Sequence, residues 1–142
     1  MISLFSHIGL NCKDVRKTLD FYGRYFGFRT VRVIGEGDDA VIFIRMRESA
    51  VLLELFKSKS EPPGPPATGS GPEYTGVRHL AFQVDDVDAK LAEIGAEATV
   101  TQPPLDFDNF IPGWRTAWIM DPDGRIVEIS LGDRDADYSI KF

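Results

Sequence analysis

The feature that most constrains this chain is a set of polar anchors that recurs in its two halves. His7 stands seven positions before Asp14, and His79 stands seven positions before Asp86. Each aspartate is followed by valine, and each has a leucine five positions on, Leu19 or Leu91. Near the end of each half LLELF aligns with IVEIS and sets Glu54 opposite Glu128. The His-to-Glu spacing is 47 residues in the first half and 49 in the second. Polar residues inside apolar strands seldom align by accident, so the pattern predicts one supersecondary unit used twice.

The local signals agree. Strand-like SLFSHIGLNC leads into DVRKTLDFYGRYFGF, where Asp14 is a good helix N-cap and Val15, Leu19, Tyr22 and Phe26 recur at helical spacing. Three β-rich runs follow, TVRVIG, AVIFIRM and AVLLELF. In the second half VRHLAFQV precedes a helix capped by Asp86, with Val87, Leu91 and Ile94 as its apolar stripe. ATVTQ, RTAWIM and RIVEISL complete it, the last two joined by the turn Asp121-Pro122-Asp123-Gly124. The fold class expected is α+β, with strand, helix and three strands in each half.

Between the halves lies EPPGPPATGSGPEYTG, Glu61 to Gly76, with five of the nine prolines and four glycines. That composition suits neither helix nor strand and reads as an extended linker. The expected organisation is one domain over 1–142: module one 1–58, linker 59–76, module two 77–132 and a C-terminal tail 133–142. A net charge of -6 without a basic block argues against nucleic acid as a partner. No run approaches the ~20 apolar residues of a membrane span, and nothing resembles a signal peptide. The single cysteine, Cys12, excludes an intramolecular disulfide and reads as a buried small residue. A cytoplasmic location is the expectation.

Alternate residues of a strand face opposite ways. Leu4, Ser6, Ile8 and Leu10 are assigned to the helix side of the first strand, and Phe5, His7, Gly9 and Asn11 to the other side. Arg78, Leu80, Phe82 and Val84 are likewise set under the second helix, opposite His79, Ala81 and Gln83. Glu54 shares its face with Leu52 and Phe56, and Glu128 shares its face with Ile126 and Ser130. All four ionisable residues fall on the face away from the helices. A carboxylate inside VLLELF or RIVEISL is costly to bury unless a charge, a metal or water meets it. A lone strand histidine is usually structural, but the chain's only two histidines take equivalent positions with equivalent glutamate partners. One divalent cation held by His7, Glu54, His79 and Glu128 accounts for the whole set.

At this point the chain resembles the vicinal oxygen chelate superfamily, which includes glyoxalase I, extradiol dioxygenases, fosfomycin-modifying enzymes and bleomycin-resistance proteins. The resemblance is carried by SHIGLNCKDVRKTLDFYGRYFGF, LLELF, VRHLAFQVDDVDAKLAEIGA and TAWIMDPDGRIVEIS. It implies two βαβββ modules with curved mixed sheets around a metal-containing cleft, and it places ligands on the first and last strands of each module. A His-Glu-His-Glu set is similar to that of bacterial glyoxalase I. The family's habit also implies a homodimer.

The function expected is a metal-dependent, glyoxalase-like lyase or isomerase that moves a proton next to a carbonyl. Its substrate would be a small molecule that chelates through two neighbouring oxygens. Ni, Zn, Co or Mn suits the donor set better than Fe. By the resemblance Glu128 is the first choice of base and Glu54 the second. Asn11 stands where glyoxalase I carries an arginine that helps hold glutathione, which argues against a glutathione adduct. Asn11, Phe56, Gln83, Arg115 and Trp118 are the candidate substrate contacts. The run from Pro103 to Trp114, with Phe107, Phe110 and Trp114, reads as a long loop that either lids the site or packs on a sheet edge. The rival readings are a non-haem iron dioxygenase and a non-catalytic binding protein that confers tolerance to a natural product.

Overall fold

A computed structural model describes residues 3–47, 49–62, 64 and 75–132. Most of the expected linker and all of the expected tail, 133–142, lie outside the described residues. The described residues fall into two compact units. The first holds the chain before the linker together with the turn Asp121–Gly124, and the second holds the rest.

The first unit runs β1 (His7–Cys12), α1 (Val15–Phe26), β2 (Arg29–Ile34), β3 (Val41–Arg45) and β4 (Leu52–Lys57). The second runs β5 (Leu80–Gln83), α2 (Val87–Ile94), β6 (Val100–Asp106), β7 (Arg115–Met120) and β8 (Ile126–Leu131). Each is therefore a βαβββ module. The sheet orders are β1-β4-β3-β2 and β5-β8-β7-β6. In both, the first strand pairs in parallel with the last and the remaining pairs are antiparallel.

Both helices start where the aspartates stand. The Asp14 carboxylate accepts from the backbone N–H groups of Arg16 and Lys17, and that of Asp86 accepts from Ala89. These bonds satisfy donors that a helix N-terminus otherwise leaves unpaired. Gly27 ends α1 in the left-handed region at φ 68°, which glycine adopts without strain. The buried stripe of α1 is rotated from the expected one: Thr18, Phe21, Tyr22, Tyr25 and Phe26 are buried, while Val15 and Leu19 are half-buried. Aromatic packing sets the rotation, with Tyr22 in edge contact with Phe21 and Phe28 at ring separations of 5.3 and 5.7 Å. This face meets Leu10, Cys12, Ile44, Leu53 and Leu55, the buried side of the first sheet. Cys12 is fully buried, as its small size suggested.

Three further expectations are corrected. Leu4 and Phe5 precede β1 and are exposed, so Leu4 does not pack under the helix. Arg78 precedes β5, where strand alternation does not yet apply, and it lies on the opposite side from the one expected. The loop expected from Pro103 is shorter, because β6 continues through Pro103 and Pro104 to Asp106. Prolines are tolerated there because β6 is an edge strand whose register shifts twice, between Val100 and Gln102 and between Gln102 and Leu105. The remaining loop closes on itself. Phe107 N–H donates to Trp114 O at 2.7 Å, and the Phe107 ring packs on Phe110 and Trp114.

The turn Asp121–Gly124 has a structural role in the first unit. Lys13 N–H and the Thr18 hydroxyl donate to the Asp123 carboxylate at 2.7 and 3.0 Å. The hydroxyl of fully buried Tyr22 donates to the Asp121 carboxylate at 2.9 Å. Tyr22→Phe takes a charge-assisted hydrogen bond from a buried carboxylate and is expected to cost about 1–3 kcal/mol. Urea unfolding should show a lower midpoint at unchanged slope; an unaltered midpoint would mean that the bond contributes nothing.

Candidate functional site

In the first unit the parallel register sets Gly9 beside Glu54 and Asn11 beside Phe56. A methyl group built on Gly9 would lie 3.6 Å from the Phe56 ring and 3.9 Å from Glu54 Oε2, so these residues share the face away from α1. His7 Nε2 is 3.3 Å from Glu54 Oε2. The other ring nitrogen, Nδ1, is 3.0 Å from Ser6 Oγ, and Phe43 packs edge-on against the imidazole. Phe43 is the register partner of Glu54 on β3.

The second unit repeats the arrangement with deeper burial. Ala81 on β5 and Trp118 on β7 flank Glu128 on β8, and Gln83 and Thr116 flank Ser130. His79 Nε2 is 3.0 Å from Glu128 Oε2, with the glutamate side chain 8% exposed. The Thr116 hydroxyl donates to Glu128 Oε1 at 3.0 Å. Glu128 thus has a partner on each oxygen between its fully buried apolar neighbours Val127 and Ile129. His79 Nδ1 is buried without a hydrogen-bond partner among the described residues. The Trp118 ring lies 5.3 Å from the imidazole, and the Arg78 guanidinium stands 4.7 Å over that same tryptophan.

The structure therefore joins His7 to Glu54 and His79 to Glu128. Among the described residues no three His, Cys, Asp or Glu side chains converge, so each unit presents a pair. In both pairs a ring nitrogen faces a carboxylate oxygen. Ser6 Oγ meets Nδ1, so Nε2 is the His7 nitrogen turned towards the carboxylate. A donor set of imidazole nitrogen and carboxylate oxygen suits a borderline divalent ion, so these residues fit such a group.

Of the candidate substrate contacts, Phe56 and Asn11 lie in the first unit's register row, and Trp118 and Gln83 lie beside the Glu128 pair. Arg115 does not join them. On β7 it alternates with Trp118 and shares a side with Ala117 and Ile119, towards α2. There its Nε and Nη2 donate to Asp88 at 2.9 and 3.1 Å, and Nη1 donates to Asp106 at 2.8 Å. Its hydrogen bonds to Asp88 and then to Asp106 hold the Arg115 pKa above its ordinary value, and Arg115 in turn holds the Asp88 carboxyl below its own. The sequence missed Arg78: alternation through VRHLAFQV set it under the helix, whereas β5 starts at Leu80 and the guanidinium stands over Trp118. Arg115→Gln is expected to leave metal content and ligand affinity within about twofold of the parent, since exposed ion pairs contribute little. Loss of either by calorimetry or elemental analysis would return Arg115 to the site.

The sequence model of the Glyoxalase/Bleomycin resistance protein/Dioxygenase superfamily matches residues 4–129. The chain is 32% identical over 130 residues to the uncharacterized protein YaeR of Escherichia coli (strain K12), covering 87% of this chain and 92% of that one. It is 27% identical over 130 residues to the uncharacterized protein YwkD of Bacillus subtilis (strain 168), covering 91% and 97%. Among solved structures, a glyoxalase family protein from Enterococcus faecalis superposes with a TM-score of 0.66 at 27% identity, covering 87% of this chain and 94% of the other.

Proposed function

The chain belongs to the Glyoxalase/Bleomycin resistance protein/Dioxygenase superfamily, and from that premise we propose that it is a metal-dependent, glyoxalase-like lyase or isomerase. The observation that carries this reading is the duplicated pair, His7 Nε2 to Glu54 Oε2 at 3.3 Å and His79 Nε2 to Glu128 Oε2 at 3.0 Å. His7, Glu54, His79 and Glu128 are the proposed ligands of a divalent ion, with Zn, Ni, Co or Mn suited to the donors. Such an ion polarises a carbonyl and its neighbouring oxygen when bound.

The chain's own residues supply the rest. Glu128 is the proposed base, taking a proton at Oε2 from the carbon beside the carbonyl and returning it to the neighbouring carbon. Thr116 holds Oε1 by its hydroxyl bond at 3.0 Å, which fixes the plane of the carboxylate. Burial of Glu128 keeps bulk water from its carboxylate. Glu54, more exposed at 19%, is the second choice of base. The substrate is a small molecule with two adjacent oxygens; no nucleic acid is involved. No helix among the described residues is long and apolar enough to cross a membrane. A cytoplasmic homodimer is the setting proposed for this chemistry.

Metal content by mass spectrometry on untagged protein tests the reading, beside His79→Ala and Glu128→Gln. One zinc, nickel, cobalt or manganese ion per chain, lost in both variants, is the expected result. Iron with oxygen uptake would replace the reading by an oxygenase. Protein that stays metal-free after reconstitution would replace it by a binding protein without turnover. Glu128→Gln is also expected to lower turnover by about a hundredfold or more, with the fold retained by circular dichroism.

A further inference from the structure

Strand β2 has one neighbour, β3, and its other edge offers backbone N–H and C=O groups to a further strand. Among the described residues it is the one strand exposed at every position. Val31, Val33 and Ile34 are 48%, 55% and 53% exposed. A register shift between Thr30 and Arg32 leaves Val31 without a partner on β3. Arg32, Val33 and Ile34 then run in regular register with Phe43, Ile42 and Val41. An open edge is a template for strand pairing, and proteins that leave one unused blunt it with proline, bulges or charge. β6, the corresponding edge of the second sheet, is blunted: Pro103 and Pro104 lack N–H donors, and its register shifts twice. β2 contains no proline and keeps its donors.

The charges along this edge are sorted by sign. Arg29 and Arg32 lie in the strand, and Glu36, Asp38 and Asp39 lie in the segment that follows it. All five are exposed, and no ion-pair partner of any of them is found among the described residues. We propose that β2 is the contact with a second copy of this chain, which adds its own β2 antiparallel across a two-fold axis. Antiparallel self-pairing brings the beginning of each strand beside the end of the other. The arginines of each copy then meet the acidic segment of the other, at both ends of the ribbon, with Val31, Val33 and Ile34 between them. Parallel pairing would set arginine beside arginine and acid beside acid. Charges that merely guard an edge need no acid at the far end of the strand; here acid stands where the antiparallel copy meets it. Two four-stranded sheets thereby become one continuous sheet. A single ribbon is small beside the roughly 1,600 Å² of a standard interface, so a dissociation constant on the order of micromolar is expected. This surface gives the proposed homodimer its contact and rests on that part of the reading, not on the metal.

Sedimentation velocity on the full chain, from about 1 to about 300 μM, is expected to show a monomer–dimer equilibrium. Two charge-reversed variants test the surface: one carries Arg29→Glu and Arg32→Glu, the other Glu36→Lys, Asp38→Lys and Asp39→Lys. Each sets like charges together at both ends and should weaken self-association at least about tenfold. Mixed one to one, the two variants restore opposite charges at both ends, and a heterodimer at parental affinity is expected. Hydrogen exchange on the parent chain needs no variant: amides within 29–34 should gain protection as concentration rises. A chain that stays monomeric throughout would overturn this surface and the homodimer together. A dimer that persists in both variants, or that gains protection elsewhere and not within 29–34, would keep the homodimer and overturn this surface. Two weakened variants that do not recover on mixing would overturn the antiparallel pairing. Metal content should match the parent in both variants, so failure of the metal reading shows separately.

Discussion

When the first strand of a unit pairs in parallel with its last, residues about fifty positions apart become neighbours, and both His–Glu pairs depend on that pairing. Parallel strands cannot be joined by a tight turn; they need a long crossover. Here the crossover is a helix, which packs on one side of the sheet, and two antiparallel strands, which extend the sheet beside its last strand. In the first unit Gly9 and Glu54 come side by side, with His7 two residues back along β1. In the second, Ala81 and Glu128 do so, with His79 just ahead of β5. The small residue beside each glutamate leaves space for the imidazole to reach across.

The two pairs share geometry but differ in surroundings. Glu54 and His7 are partly open, at 19% and 43% side-chain exposure, whereas Glu128 and His79 stand at 8% and 26%. Burial makes a carboxylate's charge harder to sustain and so makes its partners matter more. Glu128 accordingly receives a hydroxyl bond from Thr116 besides its histidine. The asymmetry is one of burial and hydrogen bonding, since the strand register treats the two glutamates alike.

Polar groups left unpaired in the second unit contrast with the thorough pairing around α1. There Asp14 caps the helix, while Asp121 and Asp123 receive Tyr22, Thr18 and Lys13. Among the described residues of the second unit, His79 Nδ1, Thr101 Oγ1, Gln102 Nε2, Trp114 Nε1 and Trp118 Nε1 are buried without a hydrogen-bond partner.

The sequence by itself determined the duplicated module, the two aspartate helix caps and the His–Glu anchors, because each is written in local spacing and residue chemistry. Alternation in strands was enough to set Glu54 and Glu128 on the face away from the helices. Tertiary structure decided what local periodicity does not encode. It rotated the stripe of α1 onto Thr18, Phe21 and Tyr25, with Phe21 packed against Tyr22, Tyr25 and Phe26. It carried β6 through Pro103 and Pro104, since an edge strand can spare the ladder bonds that proline lacks. It turned Arg115 towards Asp88 and Asp106 and brought Arg78 over Trp118. Long side chains choose their partners from residues distant in sequence, so their direction is settled only once the strands are paired.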